Sequence, residues 1–147
     1  IMNWYEFDKN RVVLEYQKMQ SKYPNFIICK YEGKLAWEGE VNLIPEGIET
    51  VPLKVRLIYP DGFPIIPPKV YPLEPELPKE MWGHKWHRWE DGNLCYLQPK
   101  LWNVRYTTVD VVDKIEIWYF NFLAFLFKLI DKMPDEGMAD VPIKGGA

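Results

Sequence analysis

The chain has 147 residues, 48% of them hydrophobic and 27% charged. That balance excludes disorder and fibrous repeats, and the length fills one domain, so any catalytic site shares a single core with the rest of the fold. A formal charge of −3 without a Lys/Arg run excludes an electrostatic nucleic-acid or anionic-membrane surface, while seven Trp, nine Tyr, seven Phe and thirteen Pro predict an aromatic core framed by rigid loops.

In chain order, Val12, Val13, Tyr16, Met19 and Tyr23 follow helical spacing, with Asp8 as N-cap and Pro24 as a stop, and predict one amphipathic helix over 8–23. Phe26 to Tyr31 is a β-branched and aromatic run, Glu32-Gly33-Lys34 a turn, and Leu35 to Leu43 a second strand, which together predict a hairpin. Pro45-Glu46-Gly47 is a loop, and Leu53, Val55, Leu57 and Tyr59 alternate as a third strand. Seven prolines between positions 60 and 78 exclude helix there and permit only a short edge strand over 69–73. Positions 80–106 read mostly as loop. A long final helix is capped by Thr107, carries Asp110 in its first turn and runs to Lys132 before Pro134. One of its faces holds Ile115, Trp118, Tyr119, Phe122, Leu126 and Leu129, and the other Ile117, Phe120, Ala124 and Phe127. A helix apolar on both faces is expected to be buried all round or to offer a docking face to a partner. The 14 residues from Ile117 to Ile130 include Asn121 and Lys128 and fall short of the roughly 20 that a membrane span needs. The expectation is an α+β fold in one domain over 2–133, followed by a flexible tail over 134–147; the tail's Gly145-Gly146-Ala147 resembles a modifier's Gly-Gly end.

Chemistry concentrates in one loop. Both histidines, His84 and His87, lie within eleven residues of Cys95, among Trp82, Trp86 and Trp89. A free thiol has a pKa near 8.5 and needs a cation, a helix N-terminus or a histidine beside it to become thiolate at neutral pH, so Cys95 with a histidine nearby fits a nucleophile. Two alternatives stand beside it: Leu94 to Leu97 as a short buried strand, and a zinc site on His84, His87 and Cys95, whose spacing lacks the paired ligands of structural zinc. Cys29, between Ile28 and Lys30, reads as structural. Neither a CxxC pair nor a secretory signal is present, so both thiols are expected to be free in a reducing cytoplasm.

The segments YPDGFPIIPPKVYP (Tyr59 to Pro72), DGNLCYL (Asp91 to Leu97) and WNVRYTTVDVVDKI (Trp102 to Ile115) resemble, in this order and spacing, the ubiquitin-conjugating enzyme (UBC) family. The resemblance spans Asp8 to Ile130 and implies a UBC-like fold: an N-terminal helix, a four-stranded antiparallel meander, a cysteine loop and a long C-terminal helix. It implies that Cys95 accepts a ubiquitin-like C-terminus as a thioester and passes it to an amine. Gly92 matches the family's glycine three residues before the cysteine. The usual His-Pro-Asn motif is missing, and His87 stands eight residues before Cys95, where the family places its Asn. The missing motif and the missing C-terminal helices resemble compact bacterial relatives in type II CBASS antiphage defence. There the implied partner is a cGAS/DncV-like nucleotidyltransferase or another ubiquitin-like modifier, with an activating enzyme as a further partner.

His87 is the candidate oxyanion donor or base, because a neutral imidazole polarises a carbonyl and a charged one lowers a thiol pKa. His84, Asn93 and Asn103 are supporting candidates, and neither a cofactor nor a metal is expected. Beside the conjugating enzyme stand a catalytically inactive UBC-like binding module, an enzyme of another bacterial ubiquitin-like pathway, and a cysteine hydrolase that would need a third orienting group.

Overall fold

The computed structural model describes residues 3–134; the expected tail beyond Pro134 lies outside the described residues. Two helices, α1 (Trp4–Phe7) and α2 (Lys9–Lys22), precede the strands β1 (Ile27–Tyr31), β2 (Lys34–Val41), β3 (Leu53–Ile58) and β4 (Lys69–Glu74), and α3 (Thr108–Leu126) closes the fold. The strands form one antiparallel sheet in the order β1-β2-β3-β4, a meander with each strand beside its sequence neighbour. Pro72 lacks an N–H, and the edge position of β4 tolerates that loss.

Alternation on β3 sets the inner face: Leu53, Val55 and Leu57 are fully buried while Lys54, Arg56 and Ile58 between them are not. Trp37, Val41 and Val70 join that face, and Ile115, Trp118, Tyr119 and Phe122 of α3 belong to the same core. The α+β class with an N-terminal helix, a four-stranded antiparallel sheet and a C-terminal helix is the architecture observed.

Three expectations are corrected. The helical turn α1 went unread; it buries Trp4 against Tyr59 and Phe63, with ring centroids 4.9 and 4.7 Å away. Asp8 does cap α2, accepting from the Arg11 N–H at 3.2 Å, but Val13 and Tyr16 are exposed and the fully buried positions are Glu15 and Met19. An apolar count cannot find a face whose centre is a carboxylate. Finally, α3 stops at Leu126 rather than Lys132. Lys128 adopts a left-handed conformation (φ 62°), its N–H bonds Phe125 O, and the Leu129 N–H bonds Ala124 O. This pattern closes a helix most often on glycine, and a lysine in that place hides it from the sequence. Burial all round holds only over Thr108 to Ile115; Phe120, Leu126, Phe127 and Leu129 reach solvent.

Candidate functional site

The stretch read mostly as loop contains a small hairpin. The Trp89 N–H bonds Asn93 O at 2.8 Å, the Cys95 N–H bonds His87 O at 2.7 Å, and Arg88 pairs with Leu94 between them. The three-residue connection Glu90-Asp91-Gly92 closes through Gly92 N–H to Trp89 O at 2.9 Å. Gly92 is left-handed (φ 88°), the place a bulged three-residue hairpin gives to glycine. A Cβ there would stand 2.9 Å from Trp82 Cζ2 and 3.1 Å from Arg88 Nη2. Glycine three residues before Cys95 therefore answers to both conformation and space.

Neighbouring elements hold this hairpin in place. The Leu94 N–H bonds Val70 O of β4 at 2.8 Å, and Tyr96 Oη donates to Pro68 O at 2.6 Å. From α3, Trp118 Nε1 donates to Trp86 O at 3.1 Å and to His87 O at 3.2 Å. Trp86 itself sits 4.7 Å from the Phe125 ring. Cys95 is thus fixed between the sheet's edge and the final helix.

Of the alternative of a short buried strand over Leu94 to Leu97, burial holds for Leu94 and Tyr96, which belong to the core, but only an isolated bridge at Leu94 forms and Cys95 is half-buried. Desolvation pushes the Cys95 thiol up, so at neutral pH it carries its proton. Cys29 lies on the sheet's outer face opposite Ala36, and burial followed by the Glu38 charge raises its thiol also.

His87 ends the short 3-10 turn His84–Trp86 in a left-handed conformation (φ 52°) and is buried. Its ring centroid lies 5.7 Å from that of His84, which is exposed. The structure brings His87 and Cys95 together through the hairpin's hydrogen bond. Asn93 is held by Asp91, which accepts from both its backbone and its side chain. Tyr71 Oη also donates to Asp91 at 2.8 Å. Burial opposes ionisation of Asp91, but the Asn93 and Tyr71 bonds and the Lys69 charge outweigh it and hold its carboxyl below the ordinary range. Asn103 is exposed and serves its own turn, its Oδ1 accepting from the Arg105 N–H at 2.9 Å. Among the described residues no group of three His, Cys, Asp or Glu is placed to hold a metal ion, so the zinc alternative does not assemble from His84, His87 and Cys95. No described helix is long and apolar enough to cross a membrane.

Beside the hairpin runs a cavity of about 640 Å³ lined by Ile66, Pro68, Trp89, Leu94, Leu97 and Trp102 among others; Cys95 is not in its wall. Sequence reading missed Arg88. It is 5% exposed, and its Nε and Nη2 both donate to Gly92 O, at 2.9 and 2.7 Å, across the three-residue loop. Burial pushes its pKa down to about 10. An arginine in a polar loop reads as solvated, and only the closed hairpin reveals it as internal. Comparison with protein-family models, curated proteins and solved structures finds no match to this chain.

Proposed function

We propose that the chain is a bacterial UBC-like cysteine acyltransferase that carries a protein C-terminus on Cys95 as a thioester and delivers it to an acceptor, regulating antiphage signalling of the CBASS kind. The supporting observation is the hairpin, in which the backbone N–H of a half-buried Cys95 bonds His87 O, after a four-strand meander and ahead of a helix that braces it. The Cys95 sulfur attacks the carbonyl of an acyl group already activated as a thioester on an activating enzyme. A new C–S bond forms, the donor's C–S bond breaks, and the donor sulfur leaves with the proton Cys95 gave up. An amine on the acceptor then attacks, a C–N bond forms, and the Cys95 thiol returns. His87 serves as the oxyanion donor or the base, and a cGAS/DncV-like nucleotidyltransferase is the proposed cargo.

Intact mass spectrometry of the protein co-expressed with the genes flanking its own tests this reading. Wild type should gain a protein-sized adduct that thiol removes, Cys95→Ser should keep it as an ester, and Cys95→Ala should show none. His87→Ala should slow loading roughly 100-fold, the scale of one lost oxyanion donor. No adduct on any form, with the partners present, refutes the transferase reading.

One feature favours a second reading, a UBC-like binding module without activity: the half-burial of Cys95 raises its thiol, away from the thiolate that attack needs. Under that reading the same partners bind the Cys95→Ala variant as tightly as wild type, and neither is modified.

A further inference from the structure

Arg88 differs from two other buried charges of the fold. Glu15 has Arg11 at 3.0 Å and Asp113 has Lys22 at 3.0 Å. Among the described residues Arg88 hydrogen-bonds only the neutral carbonyl of Gly92, and its buried Nη1 has no hydrogen-bond partner there. Trp82 Nε1 is in the same state. The two groups are neighbours: the guanidinium lies 5.1 Å from the Trp82 ring centroid, and both crowd the same face of Gly92. A second cation, Lys79 Nζ, stands 5.8 Å from that ring. The segment from Lys79 to Arg88 holds Lys79, Lys85 and Arg88 against Glu80 alone, a positive stretch in a chain of net charge −3.

A buried cation with an idle donor, beside an idle indole N–H, is costly unless something negative completes it. Both groups only donate, so a carbonyl, hydroxyl or water could satisfy either N–H but none could balance the charge; an oxyanion with two acceptor oxygens does both. Both donor atoms are shut off from solvent, so an anion reaches them only when the segment that pairs with Arg88 through Gly83 opens.

We propose that Arg88 Nη1 and Trp82 Nε1 form a binding site for a small oxyanion, a carboxylate or a phosphate, in the loop that carries Cys95. The site does not depend on what Cys95 does.

The test is a titration of the ¹⁵N-labelled full chain with sodium acetate and, separately, with inorganic phosphate, at ionic strength held constant with sodium chloride. The Trp82 indole and Arg88 guanidinium resonances are expected to shift saturably with at least one of them. Saturation by acetate alone assigns a carboxylate ligand, and saturation by phosphate alone a phosphorylated one. Trp82→Phe keeps the ring, removes one donor and should weaken binding roughly fivefold, the scale of one hydrogen bond. Arg88→Met should abolish saturation; if that variant does not fold, Trp82→Phe alone decides. Shifts that do not saturate with either anion, or an affinity unchanged in Trp82→Phe, overturn the proposal.

Discussion

Gly92 shows how much one residue's backbone decides. Its φ of 88° and the 2.9 Å approach of Trp82 leave no place for a side chain. Gly92→Ala should therefore cost about 1–3 kcal/mol, measured by urea unfolding, since a strained left-handed residue and a displaced ring act together. The Asp-Gly pair that marks this turn is visible in the sequence. Arg88, three residues ahead of Asp91, gives no such signal, because an arginine is as compatible with solvent as with a carbonyl clamp. Cys95 lies between these cases: its type and its neighbours marked it, and its ionisation came from packing. Burial raises the thiol, so thiolate accumulates only at higher pH. In a Cys29→Ser background, the alkylation rate at Cys95 should rise through a midpoint above the roughly 8.5 of a free thiol. A midpoint at or below that value would mean that a cation reaches the sulfur and offsets the burial.

At the level of elements, the start of α3 joins what is local to what is distant. Thr107 and Asp110 were legible as a cap, and the Asp110 carboxylate does accept from the Thr107 N–H at 2.8 Å and its hydroxyl at 3.1 Å. The next N–H, of Thr108, is taken at 2.8 Å by Glu15, 93 positions earlier in α2, whose other oxygen accepts from Arg11 at 3.0 Å. Arg11 in turn donates to Val104 O and Tyr106 O in the loop before α3. Glu15→Ala should cost about 3–5 kcal/mol, since it strands Arg11 and leaves the Thr108 N–H buried without an acceptor. Glu15→Gln keeps the shape and an acceptor and should cost less. Desolvation raises the Glu15 carboxyl despite the Thr108 and Arg11 contacts that lower it. A raised carboxyl contributes most below its unfolded value of about 4.3 and progressively less as pH rises through its folded one. Stability of wild type relative to Glu15→Gln should therefore decline over that range, as urea midpoints at pH 4 and pH 7 would show. The far end of α3 was not legible, because its stop rests on a lysine doing a glycine's work.

For the whole molecule, the exposed Phe120 lies on a helix whose other side is core, and the exposed Phe127 caps the end of that helix. A docking role predicts that Phe120→Asp with Phe127→Asp leaves the thermal midpoint unchanged and reduces loading of Cys95 by a co-expressed partner; unchanged loading would count against it. The sequence by itself determined the order of elements from α2 onward, the meander and the cysteine loop's place between the last strand and the last helix. These follow from period-2 alternation, turn residues and proline placement, all of which act within a few residues. Only the tertiary structure decided which side of α2 is buried, that a carboxylate lies at its centre, and that Arg88 is internal. For α2 those outcomes depend on partners up to 95 positions away, and how a buried charge is satisfied is a property of the assembled core that no local pattern encodes.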